Sequence, residues 1–258
     1  MIELYPDRID LWFTFFDAIR DGHLLDRYRL LLSEEELHRE QRIRLAKHRH
    51  RYLVTRALVR TVLSRYAPIA PEQWSFEQNS YGKPGVSSSD PLASSISFNV
   101  SHTEGLIVLG VTCGGTLGVD TENMQSRSAP LAATRAFFSD EESSAIALLP
   151  PHQRQERIFQ YWTLKEAYIK ARGMGLLIPL DQFSFHFVAQ DRVRMSVNTS
   201  LRDEPSRWKF WQLRPSASHL VAVCAEHYGK GCKQLLTTKI VPLVAEQVLD
   251  CVPILESE

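Results

Sequence analysis

The sequence predicts an α+β fold built from two similar halves. Three kinds of pattern occur twice, in the same order, along the 258 residues: a helix-start signal, a long stretch with helical spacing of apolar residues, and a group of short strand-like segments. The two helix-start signals, at Ser33 and Ser139, are 106 residues apart. Such recurrence is typical of a duplicated unit, although any α+β chain shows some recurrence of this kind.

Each helix-start signal is a serine followed three residues later by a glutamate, Glu36 after Ser33 and Glu142 after Ser139. In this capping box the serine oxygen accepts a free backbone N–H of the first turn, and the glutamate reaches back to the N–H of the serine. Acidic residues in the first turn also suit the positive end of the helix dipole. Both positions therefore predict the start of a helix.

The helical stretches and the strand-like segments follow in parallel order. Apolar residues recur at helical spacing from Val54 to Tyr66, and the second helical stretch covers residues 154–172 and ends at Gly173. Strands are predicted at the start of the chain, at 74–76, 96–100 and 106–112 in the first half, and at 183–187, 208–213 and 220–224 in the second.

These patterns predict an N-terminal half over residues 1–116, a C-terminal half over 117–229 and an extension over 230–258. Surface loops are expected at 85–95 and 123–135. The extension contains one candidate strand, at 240–244, whose place in the fold is left open.

The composition limits the classes of protein to which this chain can belong. Lys plus Arg and Asp plus Glu both number 30, so the formal net charge is zero and gives no sign of a nucleic-acid or membrane partner. No run of about 18 apolar residues predicts a membrane span. The acidic start of the chain does not resemble a signal peptide. The four cysteines form no CxxC pair. We expect a cytoplasmic, reduced protein with no membrane partner.

Asp120 and Glu122 are the first candidate functional pair. They lie two residues apart in a predicted strand, so both side chains are on one face. Neighbouring carboxylates repel each other unless a cation or a proton lies between them, and hard oxygen ligands suit Mg²⁺. The alternative is a strand edge with two solvated acids, and the pair alone leaves both interpretations open.

Glu166 and Lys170 are one turn apart on the second predicted helix. Taken alone, this spacing indicates a surface ion pair that contributes only tenths of a kcal/mol, on the order of 0.2–0.5. The same helix is rich in aromatic residues, which indicates a mostly buried helix. A carboxylate there could complete a metal site or take a proton from a nucleophile.

Several further residues are candidates for binding an anion. Ser101 and His102 end a predicted strand, where a polar turn that binds phosphate is favoured over a hydrolase triad. Residues 81–84 (Tyr-Gly-Lys-Pro) predict a turn that directs Lys83 outward. The segment 39–65 is strongly basic, which indicates either an anion site or a solvated helix face; its basic residues are Arg39, Arg42, Arg44, Lys47, Arg49, Arg51, Arg56, Arg60 and Arg65.

Four short motifs, in this order, resemble those of the Sfp-type 4′-phosphopantetheinyl transferases. They are residues 81–84 (Tyr-Gly-Lys-Pro), 98–102 (Phe-Asn-Val-Ser-His), 118–122 (Gly-Val-Asp-Thr-Glu) and 162–170 (Trp-Thr-Leu-Lys-Glu-Ala-Tyr-Ile-Lys). The resemblance covers about residues 10–228. It implies a pseudo-twofold pair of α+β halves with coenzyme A in the cleft between them. Such a single-chain arrangement also predicts a monomer.

The resemblance also implies residue roles. Asp120, Glu122 and Glu166 match the Mg²⁺ carboxylates, with Mn²⁺ as the alternative ion, and Glu166 matches the general base. Lys170 and His102 are expected to assist catalysis at the pyrophosphate. Contacts to coenzyme A are expected from Lys83, Ser101, His102 and Lys165, and a contact to its 3′-phosphate from Arg39, Lys47 or Arg51.

The implied activity is Mg²⁺-dependent transfer of 4′-phosphopantetheine from coenzyme A to a serine of an apo acyl or peptidyl carrier protein, which releases 3′,5′-adenosine bisphosphate. Arg127 and Arg135 are candidates for contacting an acidic carrier surface. Three alternatives stay open: a Mg²⁺-dependent phosphodiesterase or pyrophosphatase, a nucleic-acid-binding module that uses residues 39–65, and a degenerate pseudoenzyme.

Overall fold

The computed structural model describes residues 1–126, 137–227 and 234–258. In the first half, one strand is followed by three helices, a short hairpin and two long strands. The strands are β1 Arg8–Thr14, β2 Phe76–Gln78, β3 Pro84–Val86, β4 Ile96–His102 and β5 Ile107–Cys113, and the helices are α1 Gly22–Arg29, α2 Glu34–Arg42, α3 Ala46–Leu63 and α4 Pro91–Ser94.

The second half again begins with a strand and a pair of helices. Its elements are β6 Leu117–Asn123, α5 Asp140–Leu148, α6 Pro151–Arg172, β7 Phe183–Phe187, β8 Arg192–Val197, β9 Trp208–Leu213 and β10 His219–Glu226. Three strands follow: β11 Gln234–Val241, β12 Ala245–Val248 and β13 Pro253–Ser257. Short 3₁₀ turns occur at Phe16–Ala18, Pro71–Gln73, Gly175–Leu177, Leu180–Gln182, Thr199–Leu201 and Pro205–Arg207.

The two halves share one strand topology. One sheet has the order β12-β11-β1-β5-β4, and the other has the order β6-β10-β9-β13-β8-β7. The run β1-β5-β4 corresponds to β6-β10-β9, and all four of these pairings are antiparallel. Helices α1, α2 and α3 lie in sequence between the first and second strands of the first half, and α5 and α6 lie between the first and second strands of the second half. The predicted α+β fold with two similar halves is confirmed.

Both predicted capping boxes are present. The Ser33 hydroxyl accepts from the Glu36 amide at 3.3 Å, and the Glu36 carboxylate accepts from the Ser33 amide at 3.1 Å. The corresponding distances between Ser139 and Glu142 are 3.2 and 3.0 Å. Helices α2 and α5 therefore begin where the sequence predicts.

The duplication extends to a buried ion pair at each capping box. Arg60 on α3 donates to the Glu36 carboxylate at 2.8 Å, and Lys165 on α6 donates to that of Glu142 at 2.8 Å. Each cation also donates to two backbone carbonyls in the segment that follows its helix. Such bonding offsets the cost of burying the charges. The pairs fix α3 and α6 on their shorter partner helices.

Most strand predictions agree with the structure, with some differences. Segments 183–187 and 208–213 coincide with β7 and β9, whereas the expected loop 85–95 contains part of β3 and all of α4. Asp90 caps α4 and Pro91 opens it, a combination that starts a helix but also occurs in loops. Of the expected loop 123–135, residues 127–135 lie outside the described ranges.

The C-terminal strands join both sheets. Strand β11 pairs in parallel with β1, and β13 lies between β9 and β8. The candidate strand at 240–244 overlaps only the end of β11, because the polar residues 237–239 conceal the rest of that strand in the sequence. Within the described ranges, no helix combines the length and the apolar character that crossing a lipid bilayer requires.

Three hydrophobic clusters set the layers of the fold. Helix α3 packs on one face of the first sheet and α6 on one face of the second, while the opposite faces of β1, β5, β6, β9 and β10 pack together. This contact is close at Gly110, where a Cβ would lie 2.8 Å from a methyl group of Val119. The interface between the halves is therefore apolar.

The edges of the two sheets meet at strands β4 and β6. Side chains of β4 and of Thr103, which follows it, accept hydrogen bonds from the backbone of β6, so no backbone ladder is needed there. The bonds run from the amides of Val119, Thr121 and Asn123 to the side chains of Asn99, Ser101 and Thr103, at 2.8, 3.3 and 3.1 Å. We call this array the β4–β6 seam. It aligns the two strands that carry the candidate site.

Candidate functional site

The acidic candidates lie where β6 packs on α6. Gly118 permits this packing, because a Cβ at that position would collide with the backbone of Ala167 and Ala171 on the helix. Asp120 and Glu122 alternate with the apolar positions of β6 and share the face of Gly118. Glu166 and Lys170 are on the facing helix. The close approach of the two backbones brings the carboxylates together.

Lys170 is the immediate counter-ion of Asp120. Its Nζ donates to Asp120 Oδ1 at 2.6 Å and to the Ser101 hydroxyl at 3.0 Å. The Ser101 hydroxyl in turn donates to the same Asp120 oxygen at 3.1 Å. Asp120 is 5% exposed, and its Oδ2 has no hydrogen-bond partner within the described ranges. An unpaired oxygen on a buried carboxylate fits a cation that the structure does not contain.

The carboxyl group of Glu166 has a raised pKa. Burial and, to a smaller extent, the negative charges of Asp120 and Glu122 raise this pKa from 4.5 to about 7, although Lys170 acts in the opposite direction. A carboxylate with a pKa near neutrality can take up and release a proton at physiological pH. Like-charge neighbours and burial are the usual means of tuning such a group.

Trp162, one turn before Glu166, contacts the third carboxylate. Its indole N–H donates to Glu122 Oε1 at 3.2 Å, and its ring meets that of Phe137 edge to face at 5.3 Å between centroids. In the sequence, Trp162 is one of the aromatic residues of this helix and the first residue of the motif 162–170, with no role at the site assigned to it. Its spacing of four from Glu166 was the available signal for a residue on the same helix face.

His102 lies at the end of β4 in a positively charged environment. Its side chain is exposed, and its pKa lies below the usual value because of partial burial and because of Arg51, Lys170 and His48. Arg51 and His48 are on α3. The structure thus associates one residue of the basic segment, Arg51, with the strand that carries Ser101. His48 belongs to the same basic segment, 39–65.

The other candidates for the 3′-phosphate differ in position. Lys47 is exposed in the first turn of α3, one turn before Arg51. The Arg39 guanidinium lies over the Tyr52 ring, 5.8 Å from its centroid, and lines a separate cavity of about 710 Å³ beside α2. Arg127 and Arg135 lie outside the described ranges.

Lys83 points inward, contrary to the outward direction predicted for the turn at 81–84. Its Nζ donates to the backbone carbonyls of Leu117 at 3.0 Å and Ala171 at 2.9 Å. Burial lowers the pKa of this ammonium to about 8, and Cys224 and Glu226 act in the opposite direction. The turn packs against the end of α6, where the carbonyl of Ala171 is among the last of the helix and has no helical partner.

Lys165 does not fit the predicted role of a coenzyme A contact. Its side chain is fully buried, and its three N–H donors bind Glu142, Leu180 and Phe183 at 2.8, 2.7 and 2.7 Å. Helical geometry places it away from Glu166 and Lys170, which face the cleft. Lys165 is thus a core residue, although it is adjacent in sequence to Glu166, which faces the cleft.

The cleft between the halves opens beside these groups. A cavity of about 280 Å³ is lined by residues of the turn at 81–84, of β4 and of α6, including Asn99, Glu166 and Lys170. In the described ranges, no three His, Cys, Asp or Glu side chains already form a metal-binding group. The donor set is nevertheless hard oxygen, and the unpaired Asp120 Oδ2 suits a small divalent cation.

A partly buried carboxylate cluster with a lysine, beside a strand end in positively charged surroundings, has the components of an enzyme that acts on an anionic substrate. Comparisons identify the family. Residues 116–224 match the model of the 4′-phosphopantetheinyl transferase superfamily, and residues 23–113 match the model described as 4′-phosphopantetheinyl transferase, N-terminal.

Similar proteins carry the same description. The 4′-phosphopantetheinyl transferase HetI of Nostoc sp. is 30% identical over 88% of this chain and 92% of its own length. A phosphopantetheinyl transferase of Thraustochytrium sp. is 31% identical over 77% and 71%, and the 4′-phosphopantetheinyl transferase Sfp of Bacillus subtilis is 29% identical over 78% and 85%. The chain belongs to the 4′-phosphopantetheinyl transferase family and is of the Sfp type, which confirms the resemblance found in the sequence.

Proposed function

We propose that this chain transfers 4′-phosphopantetheine from coenzyme A to a serine hydroxyl of an apo acyl or peptidyl carrier protein and releases 3′,5′-adenosine bisphosphate. The observation that carries the proposal is the meeting of Asp120, Glu122 and Glu166 with Lys170 beside the inter-half cleft. Family membership supports the same reaction. Because the halves already pair within one chain, we expect a monomer.

Asp120, Glu122 and Glu166 would hold a Mg²⁺ ion, with Mn²⁺ as the alternative. The unpaired oxygen of Asp120 supports a cation among them, and so does the raised pKa of Glu166, which burial and then the charges of Asp120 and Glu122 produce. When bound, such an ion supplies positive charge that neutralises phosphate oxygens. Helix α6 and strand β6 contribute all three carboxylates, so the packing at Gly118 determines their spacing.

Glu166 is the proposed general base. It takes the proton of the carrier serine, directly or through a water, as the serine oxygen forms a bond to the β-phosphorus of coenzyme A. The bond from that phosphorus to the bridging oxygen breaks, and its electron pair leaves with adenosine bisphosphate. The Lys170 ammonium, held in the same cleft, stabilises the negative charge on the phosphates.

The imidazole at the end of β4 and two cations on α3 are the proposed binding groups for coenzyme A. His102 ends β4 next to Ser101, and Lys47 and Arg51 lie near the start of α3. All three side chains are exposed or half-buried. We propose that Ser101 acts by orienting Asp120 and Lys170, since its hydroxyl is bonded to both. Arg39 is the weaker candidate because its guanidinium stacks on Tyr52.

The basic segment supports the nucleic-acid alternative less strongly in the structure than in the sequence alone. Arg56 and Arg60 both pair with Glu36, and Arg65 pairs with Glu246 on β12. Arg60 is buried. These pairings leave fewer exposed cations for contacts to a phosphate backbone than the sequence alone indicates.

The test is an intact-mass assay with coenzyme A, Mg²⁺ and a panel of apo carrier proteins. A mass increase of one phosphopantetheine group on a carrier, lost with EDTA and in Glu166→Gln, is expected. Glu156→Gln is the matched control, because Glu156 is an exposed residue on the same helix that pairs with Arg214. Coenzyme A cleavage without carrier modification would identify a phosphodiesterase instead.

A further inference from the structure

The turn at residues 81–84 joins the end of helix α6 to the start of β6. Lys83 Nζ is bonded to the carbonyl of Ala171 in the last turn of the helix and to that of Leu117, the first residue of the strand. These carbonyls belong to the second half of the chain, whereas Lys83 belongs to the first. One ammonium thus connects three elements across the cleft.

A second side chain in the same turn strengthens the connection. Asn79 Nδ2 donates to the carbonyl of Gly173 at 2.9 Å, and its Oδ1 accepts from the amides of Tyr81 and Lys83, both at 2.9 Å. Gly173 has a left-handed φ of 64° and ends α6, and a Cβ there would lie 2.8 Å from Lys83 Cδ. The turn and the helix end therefore fit closely.

The electrostatics favour this arrangement. The last carbonyls of a helix carry partial negative charge and lack intrahelical partners, so a cation at the C-terminus is stabilising. Lys83 supplies that cation from another element. Two of its three N–H donors are already bonded to backbone carbonyls. Its ammonium is therefore bound to the helix end, while the residue also lines the cavity beside the cleft.

We infer that Lys83 is a positioning residue that fixes α6 against β6 and so sets the spacing between Glu166 and Lys170 on the helix and Asp120 on the strand. The inference rests on the proposed function for its catalytic consequence. It differs from the sequence expectation, in which Lys83 contacts coenzyme A directly. The two roles affect different kinetic constants.

The test compares Lys83→Met and Lys83→Arg with the wild type in steady-state transfer to a carrier protein. Methionine keeps the length of the side chain without its donors. Lys83→Met is expected to lower kcat about 10- to 100-fold, the scale of small misplacements in an active site, with KM for coenzyme A unchanged. Lys83→Arg, which retains the charge, is expected to recover part of this loss.

Lys209→Met is the matched control, since Lys209 also donates to a backbone carbonyl, that of Ser257, but lies on β9. It should leave both constants unchanged. A raised KM for coenzyme A with unchanged kcat in Lys83→Met would assign Lys83 to substrate binding and overturn the inference. Unchanged kcat and KM would overturn it as well.

Asn79→Ala provides a second variant should Lys83→Met fail to fold. It removes the bond to Gly173 and is expected to lower kcat selectively, whereas a selective rise in KM would contradict the inference. Hydrogen exchange gives a readout independent of activity: amides of residues 169–173 should exchange faster in Lys83→Met than in the wild type. Unchanged exchange there would overturn the inference, and this measurement does not require transfer activity. Absence of transfer by the wild type would refute only the proposed function.

Discussion

Gly118 of strand β6 and Ala167 of helix α6 are in backbone contact, with no room for a side chain at residue 118. The adjacent site depends on this contact. Asp120 follows Gly118 on the same face of the strand, and Glu166 precedes Ala167 on the helix. A larger separation of the two backbones would move the carboxylates apart together with the Lys170 ammonium.

We therefore expect Gly118→Ala to weaken both stability and activity. The added methyl group meets backbone atoms that cannot rotate away, so a loss of about 1–3 kcal/mol or more in the free energy of unfolding is expected, together with a fall in kcat. Denaturant unfolding measures the first effect. Gly85→Ala on β3 is the control, because no described atom lies within 4 Å of a Cβ there; equal stability of the two variants would contradict the prediction.

Glu166 should make the stability of the metal-free protein depend on pH. Its pKa is about 7 in the fold against 4.5 for an ordinary glutamate, so the folded state holds more protons between these values. Its contribution is fully present below pH 4.5 and is lost as pH rises through 7. In EDTA, the free energy of unfolding of Glu166→Gln relative to the wild type should increase from pH 5 to pH 7.5.

The same comparison with Glu156→Gln should show no such trend, because Glu156 is exposed. A Glu166→Gln difference independent of pH would show that the carboxyl group of Glu166 is not perturbed. Direct NMR titration of Glu166 in the metal-free protein gives a second measurement of its pKa.

Lys165→Met should destabilise the second half. The substitution leaves the Glu142 carboxylate buried without its cation, and breaking a buried pair in this way costs about 3–5 kcal/mol. Thermal or denaturant unfolding would show the loss. Adding Glu142→Gln should recover part of it, since both charges are then removed. A variant of normal stability with a raised KM for coenzyme A would restore the role predicted from the sequence.

Ser101→Ala should affect the β4–β6 seam and the site together. The Thr121 amide loses its acceptor, and Lys170 and Asp120 lose a shared partner. An unsatisfied buried donor costs about 1–3 kcal/mol, and the misdirected lysine should lower kcat. Ser95→Ala is the control, because that hydroxyl is exposed and bonds only locally, to Leu92. Retained stability with a selective rise in KM for coenzyme A would favour a direct phosphate contact.

Local sequence signals predicted the repeated parts of the fold well. Both capping boxes and strands β7 and β9 follow from patterns within a few residues, since caps and alternation are local effects. Sequence patterns also predicted the acidic pair on β6 and the turn before β3. Elements stabilised by distant partners were harder, because the polar positions of β8 and β13 are explained only by neighbouring strands.

Side-chain direction limited the prediction of the site. Lys165 and Lys170 occur in one helical motif, yet one is buried against Glu142 and the other pairs with Asp120. Lys83 was expected to point outward because a turn is usually solvated, but the free carbonyls of α6 lie next to it. Both differences arise from contacts between residues far apart in the chain, which single-sequence patterns do not contain.

The pairing of β1 with β11 has a consequence for synthesis of the chain. Strand β1, near the N-terminus, lies between β5 and a strand that begins at Gln234. A nascent chain therefore exposes one edge of β1 until the residues of β11 have left the ribosome. Contacts of such high sequence separation slow folding, and an open strand edge favours association between chains. The first half should thus need protection from aggregation during translation, and completion of its sheet should be a late folding event.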